Sequence, residues 1–369
     1  MKVTLFKAFP DSYRQSMSVY ADCLLDALRP KLQPTEGATA YSPNHVFLSP
    51  RLARYWSQYV RYQFAAVSAQ GDINHVIDHA YSHLLLTLDS AKTVVTFHDA
   101  IGMKFRNGCF NENVRLPQPS LIQRYNLLGL KKARAVICDS EASRKDFLRY
   151  TGFPCERVKI IYPGVEEAFF QSSAQDPKKR LGVTDGKYLL HVGHTKFYKN
   201  IPALFHVLSI LIYSLGQKIK LIRVGTPFTS EQLHLARTLR VTDHIVDLGA
   251  VERVLLPDVY RSADVFLYPS LDEGFGLPAL EAMASGTPVV ASNCGSLPEV
   301  VGDAGILVDP RDHTAIAKSI VSILDNSGLR SKLREAGINR ARYFTWEKTA
   351  EQTLEVYRKL YQARWKKDA

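Results

Sequence analysis

Ten short apolar runs punctuate the chain: KVTLF, TVVTFHD, AVICDS and VKIIYPG before residue 165, then KYLLHVG, IKLIRVG, HIVDLG, DVFLYPS, TPVVAS and AGILVD between residues 187 and 309. Most close on Gly, Asp or Ser and lead into an amphipathic helical pattern. Such uninterrupted runs suit parallel strands that are covered by helices on both faces, because neither face meets water. The pattern predicts an α/β protein with two parallel sheets. Between VKIIYPG and KYLLHVG the chain turns polar and turn-rich over residues 171–177, QSSAQDP, which marks a linker. The expected domains are 1–168 and 169–349. A last helical segment, about 350–369, carries Leu354, Tyr357 and Tyr361 and can belong to the second domain or cross back onto the first. Ligands of open parallel sheets sit outside the carboxyl ends of the strands, so chemistry is expected in the loops that follow them, with two such sheets enclosing a cleft.

A length of 369 residues suits two hydrophobic cores better than one. With 46% hydrophobic and 22% charged residues and no biased tract, the composition is that of a folded protein rather than a disordered one. Cys23, Cys109, Cys138, Cys155 and Cys294 are odd in number and never spaced as CxxC, which argues against a disulfide framework and a structural zinc. The start, MKVTLFKAF, has lysines within its apolar run and reads as a strand, not a signal peptide. No uncharged apolar stretch reaches the length of about 18 residues needed for a spanning helix. The expectation is a cytoplasmic protein, soluble or peripheral at the inner membrane. Its formal charge of +11 favours anionic partners such as nucleotides or acidic lipids. Without a helix-turn-helix, zinc-finger or RNP pattern, nucleic acid is not expected.

The stretch SLDEGFGLPALEAMASGTPVV, Ser270 to Val290, holds the sharpest signal. DVFLYPS is a strand and LPALEAMASG a short helix, with Pro278 in its first turn and Gly286 closing it. Glu281 falls on the opening turns of that helix and Glu273 on the loop before it. Gly274 and Gly276 bracket Phe275 and let backbone N–H groups approach a ligand at the helix's positive end. An anion suits those amides, and two carboxylates suit vicinal sugar hydroxyls; a nucleotide sugar offers both. The residues alone leave another reading open, in which Glu281 caps its helix and Glu273 is solvated. A dinucleotide fingerprint fails because position 279 is Ala.

EGFGLPALEAMASGTPVVASNCGSLPEVVGDAGILVDP resembles the donor-site signature of retaining glycosyltransferases of family 4, whose hallmark is Glu, seven residues, Glu. The likeness runs upstream through LGAVERVLLPDVYRSADVFLYPS and downstream to RARYFTWEKTAEQTLEVY, over most of residues 185–357. It implies a GT-B fold, two Rossmann-like domains with the active site between them. It further implies that Glu281 binds the ribose hydroxyls, that Glu273 contacts the transferred sugar, and that the N–H groups of Gly274, Phe275, Gly276 and Leu277 serve the sugar or phosphate oxygens. Lys199, in HVGHTKFYKN, matches the lysine that neutralises the donor diphosphate, and Val251 falls where the family's backbone meets the nucleobase. The family often has arginine at the position of His194 or of Tyr198; Lys196 or a protonated His194 is the expected substitute.

In the first half the resemblance is looser. His98, just past TVVTF, matches the family's active-site histidine, while Asp99 more often fixes a turn than does chemistry. Ser16 and Met17 stand where the family's glycine-rich loop has glycines. Asp78, His79 and His83, in VIDHAYSH, are acceptor-side candidates, with packing or surface roles equally open. Along RLARYWSQYVRYQF, helical spacing puts Arg51, Arg54, Gln58 and Arg61 on one face and Leu52, Tyr55, Trp56, Tyr59 and Val60 on the other. That helix suits packing on the first sheet and, secondarily, an anionic membrane surface.

The expected activity is a metal-independent, retaining transfer of a hexose from a nucleoside-diphosphate sugar to a hydroxyl of a glycan or lipid-linked acceptor, in bacterial polysaccharide synthesis. UDP-hexose is the first expectation and GDP-mannose the second. No cofactor beyond the donor substrate is expected. The alternatives are a GT-B epimerase or phosphorylase, or a non-catalytic subunit that binds nucleotide sugar.

Overall fold

The computed structural model describes residues 1–8, 15–33, 35–42, 56–106, 121–171, 178 and 186–365. The chain forms two compact units, Met1–Gly164 with Thr345–Ala369, and Val165–Phe344. The division therefore falls at Gly164 and Phe344, where the sequence expectation puts it at 168 and 349. Most of the proposed linker, residues 172–177, lies outside the described residues, as does Cys109.

The first unit contains a six-stranded parallel sheet of β1 (Lys2–Phe6), β2 (Gly37–Tyr41), β3 (Ile73–Val76), β4 (Thr93–Phe97), β5 (Ala135–Cys138) and β6 (Val158–Ile160), in the order β2-β1-β3-β4-β5-β6. Every residue of β3, β4 and β5 is buried, the environment that the apolar runs of β4 and β5 require. Two strands lie outside the ten apolar runs, β3 (INHV) and β2. The sequence of β2, GATAY, is half-buried to exposed at the edge of the sheet, so no apolar run announces it. The final helix, Trp346–Trp365, completes this unit: Trp346, Ala350, Leu354 and Tyr357 join Val3, Leu5, Tyr20, Leu24 and Ile73 in one core. The Tyr357 hydroxyl lies 2.5 Å from His75 Nδ1, and Thr349 Oγ1 donates to the Tyr162 carbonyl at 2.7 Å.

The segment expected to form an amphipathic helix is only partly described, with Arg51, Leu52, Arg54 and Tyr55 outside the described residues. Ser57–Arg61 is a wider, π-helical turn that leads into a helix at Tyr62–Ser68. Trp56, expected on the packed face, is 65% exposed. The wider turn changes the angular spacing on which the assignment of faces relied.

The second unit holds β7 (Lys187–Val192), β8 (Ile219–Val224), β9 (Ile245–Asp247), β10 (Val265–Tyr268), β11 (Val289–Ser292) and β12 (Ile306–Val308), all parallel, in the order β12-β11-β10-β7-β8-β9. Numbered from its own first strand, that is 6-5-4-1-2-3, the dinucleotide-binding arrangement read from the other edge. The chain leaves β7 toward one edge and resumes at β10 toward the other. The loops after these two adjacent strands therefore diverge and open a crevice at the carboxyl ends.

Candidate active site

Most of the signature residues come together at this crevice. The loop after β10 is tied to the loop after β7 by the Leu271 N–H, which donates to the Tyr198 carbonyl at 2.7 Å. Asn200 adds its side-chain amide, which donates to the carbonyls of Pro269 and Pro310 at 3.1 Å each. Lys199 is buried at the end of the short 3-10 turn Phe197–Lys199. Its Nζ donates to Glu273 Oε1 at 2.6 Å and to the Tyr268 hydroxyl. Desolvated charges persist where they are paired and hydrogen-bonded, and this lysine and glutamate satisfy each other.

Backbone geometry brings the glutamate loop close to its neighbour. Gly295 has φ +60°, and a Cβ there would lie 2.7 Å from the Glu273 nitrogen. Gly276 has φ +103°, and its Cβ would lie 2.7 Å from Leu297 Cδ2. Both positions combine a left-handed backbone with an approach that leaves no room for a side chain. Ser296 Oγ donates to the carbonyls of Glu273 (3.1 Å) and Phe275 (2.7 Å), which fixes the loop's path. Gly276 is the N-cap of the helix Leu277–Ala284, without a side-chain cap and with Pro278 in the first turn. The Gly276 and Leu277 amides thus stand at the helix's positive end. The Phe275 side chain is core, edge-on to Phe344 at 5.7 Å.

Glu281 lies on the second turn of that helix, almost fully buried. Its Oε2 accepts from the Tyr260 hydroxyl at 2.8 Å and its Oε1 from Arg253 Nη2 at 3.1 Å. Arg253 also donates to Glu166 Oε2, from Nε at 2.7 Å and from Nη2. Burial pushes the Glu281 carboxyl up; Arg253 and then Tyr260 oppose it. The loop containing half-buried Val251 therefore carries a guanidinium bridging two carboxylates. Sequence inspection misses Arg253, Glu166 and Tyr260, since Glu166 and Arg253 stand 87 positions apart and neither belongs to the signature.

The protonated His194 expected to replace the family arginine is corrected by its surroundings. Burial first, then the neighbouring Lys199 and Lys196, lower its pKa to about 3, so the ring is neutral near pH 7. Its Nε2 lies 2.8 Å from the Tyr198 hydroxyl, and the Lys196 N–H points to Nδ1 at 3.4 Å. The Lys196 side chain is exposed. A further cation that the sequence does not single out, Arg223 at the end of β8, is wholly buried, with Nη2 3.4 Å from the Gly193 carbonyl.

Within the first unit, His98 is buried and engaged at both nitrogens. Nδ1 donates to Asp139 Oδ2 at 2.5 Å and Nε2 donates to the Ile77 carbonyl at 2.7 Å. Burial works against the imidazolium, but the Asp139 carboxylate outweighs it and the pKa rises to about 9. Asp139, just beyond β5, is missed by the sequence reading although AVICDS places an acid at a strand's carboxyl end. Asp78 caps the following 3-10 segment through Ala80 N–H (2.8 Å), and Asp99 accepts from Ile101 N–H (3.0 Å) at the next helix. His79 and Asp99 share a cavity of about 160 Å³ with Ser82, Met103 and Asn126. His83 does not share it; it is buried with Nε2 on the Gln58 carbonyl and Nδ1 2.9 Å from the Asn126 side-chain amide. Ser16 and Met17 sit on the first turn of the helix Gln15–Leu28 rather than in a loop.

Two family descriptions match the chain: Glycosyltransferase Family 4 over residues 22–169 and Glycosyl transferases group 1 over residues 172–340. O-antigen chain mannosyltransferase B of Escherichia coli is 31% identical over 274 residues, 73% of this chain and 71% of that protein. The chain belongs to the family 4, group 1 glycosyltransferases. This glycosyltransferase is also 32% identical over 246 residues to D-inositol 3-phosphate glycosyltransferase of Salinispora arenicola, 61% of this chain and 55% of the relative. Its fold is that of sucrose-phosphate synthase from Thermosynechococcus elongatus (TM-score 0.79, 22% identity, 98% of this chain and 100% of that one). Anabaena HepE, solved with UDP and glucose, is similar as well (TM-score 0.76, 18% identity, 96% and 98%). The two parallel-sheet units are those of the GT-B glycosyltransferases.

Proposed function

We propose that this glycosyltransferase moves a hexose from a nucleoside-diphosphate sugar to a hydroxyl of a glycan or lipid-linked acceptor during polysaccharide assembly, with retention and without a metal ion. The observation that carries the reading is the buried Lys199–Glu273 pair, set beside an uncapped helix start at the switch point of the second sheet. In the proposed step the bond from the sugar's anomeric carbon to the diphosphate oxygen breaks while the acceptor oxygen bonds to that carbon from the same face. The acceptor proton passes to the departing diphosphate. The transition state is oxocarbenium-like, and negative charge grows on the leaving group. Lys199 and the Gly276 and Leu277 amides are assigned to receive that charge, since donors aimed where charge develops stabilise it most. Glu273 contacts the transferred sugar, and Glu281 holds the ribose.

The mannosyltransferase names among the sequence relatives, one of them 31% identical over 274 residues, move the preference from a UDP-hexose toward a mannosyl donor, with GDP as its carrier. Acceptor binding is assigned to the first unit, where His79 and Asp99 share a cavity. A thermal-shift series with UDP, GDP and ADP sugars tests the donor, since a ligand that prefers the native state raises stability with its affinity. Anomeric NMR of the product tests retention. Loss of all activity in EDTA, restored only by Mn²⁺ or Mg²⁺, would refute metal independence. Donor binding without turnover in the presence of any acceptor would assign the chain to the non-catalytic class instead.

A further inference from the structure

The second unit has another cavity, remote from the crevice along the strands. Its walls include Asp264, just before β10, and Pro288, just before β11, so it lies at the amino ends of strands whose carboxyl ends border the candidate active site. Its volume is about 430 Å³, within the range of roughly 300–1,000 Å³ typical of small-molecule sites. Arg261, Arg330, Arg334 and Lys178 line it, against the single carboxylate of Asp264.

The cations differ in what already neutralises them. Arg261 Nη2 donates to Asp258 Oδ1 at 3.0 Å, and Lys178 Nζ donates to the Gly186 carbonyl at 2.7 Å. Asp264 is committed to the backbone, accepting from Tyr188 N–H at 2.8 Å. Arg330 and Arg334 are in no ion pair among the described residues, and they stand four apart on the helix Ser327–Ala341, Arg330 in its first turn and Arg334 at its middle. That placement is electrostatically adverse. Like charges four apart on a helix repel, and Arg330 near the amino end opposes the helix dipole. An anion between the guanidinium groups relieves that repulsion. Ser285, 6% exposed in the same wall, leaves its Oγ without a hydrogen-bond partner among the described residues.

We propose that this cavity binds a phosphate-bearing ligand at a site separate from the donor crevice, with Arg330 and Arg334 as its principal contacts. Guanidinium groups suit this task because their paired N–H groups match phosphate oxygens. The phosphate belongs either to a free metabolite or to a lipid headgroup; the cavity's chemistry is the same for both.

Inorganic pyrophosphate is the probe, titrated calorimetrically into the full chain carrying Lys199→Ala, so that the donor crevice contributes little. Saturable binding with one equivalent is expected, weakened at least tenfold by Arg330→Ala with Arg334→Ala. Arg330→Lys should restore only part of it, and Lys131→Ala with Lys132→Ala, exposed at the end of a first-unit helix, should leave it unchanged. A second arm measures sedimentation with phosphatidylglycerol vesicles. Vesicle binding that the double arginine variant abolishes and pyrophosphate displaces assigns a lipid headgroup, whereas pyrophosphate binding without vesicle binding assigns a free metabolite. Absence of saturable pyrophosphate binding, survival of it in the double arginine variant, or an equal loss in the lysine control overturns the site. The donor assignment is judged separately, by nucleotide-sugar binding in Glu281→Ala.

Discussion

Glu281 sits where burial opposes its charge, and Arg253 is the group that restores it. Donor binding that needs the ionised carboxylate is present above its pKa and lost as pH falls through it. Removing Arg253 therefore moves that loss to higher pH. For Arg253→Met the loss of donor affinity with falling pH is expected to set in at higher pH than in the wild type; donor titrations at several pH values check this. Glu281→Ala removes hydrogen bonds to a charged group worth about 1.5–3 kcal/mol each, so donor affinity should fall by roughly 10- to 100-fold. Lys199→Ala is expected to act on turnover instead, lowering kcat by about 10²–10³ with a smaller change in KM. His98 makes a different kind of prediction. Its folded pKa of about 9 lies above its ordinary 6.5, so its pairing with Asp139 stabilises the first unit fully below pH 6.5 and is lost as pH rises through 9. The contribution is about 3 kcal/mol at most, and melting curves across that window should flatten in Asp139→Asn. Such charge states were not legible in the sequence. His98 and Asp139 are 41 positions apart, and only packing shows that both imidazole nitrogens are occupied.

At the level of elements, the signature owes its shape to two loops that approach without side chains. Gly295→Ala would push a methyl group to within 2.7 Å of the Glu273 nitrogen, and its φ of +60° adds backbone strain of about 1 kcal/mol or more. The glutamate loop must then shift, separating Glu273 from Lys199. Turnover is expected to fall by at least tenfold while the melting temperature drops by only a few degrees, measured side by side. Gly276 was legible as a helix-opening glycine from its place before LPALEAM. Gly295 was not, because its constraint comes from a loop that precedes it by a strand and a helix. Most buried strands announced themselves through apolar runs, whereas β2, half-exposed at its sheet's edge, and β3, whose buried Asn74 and His75 interrupt the pattern, had no such run to show.

For the whole molecule, the final helix decides the stability of the unit that opens the chain. Tyr357 and Leu354 are buried against the helix Gln15–Leu28 and the first sheet. Leu354→Ala should destabilise that unit by about 2–5 kcal/mol and leave nucleotide binding by Val165–Phe344 intact, a separation that calorimetric melting with and without nucleotide would display. Local pattern along the chain was enough for the parallel α/β architecture, the crevice loops and the glutamate pair, because backbone periodicity and helix-start chemistry act over a few neighbouring residues. Folding was needed to make His194 neutral, to hold His98 as an imidazolium, to let Arg253 bridge Glu166 and Glu281, and to turn two arginines toward a cavity at the other end of the strands. Ionisation and pairing depend on groups that folding brings within a few ångströms, and separation along the chain carries no record of that distance.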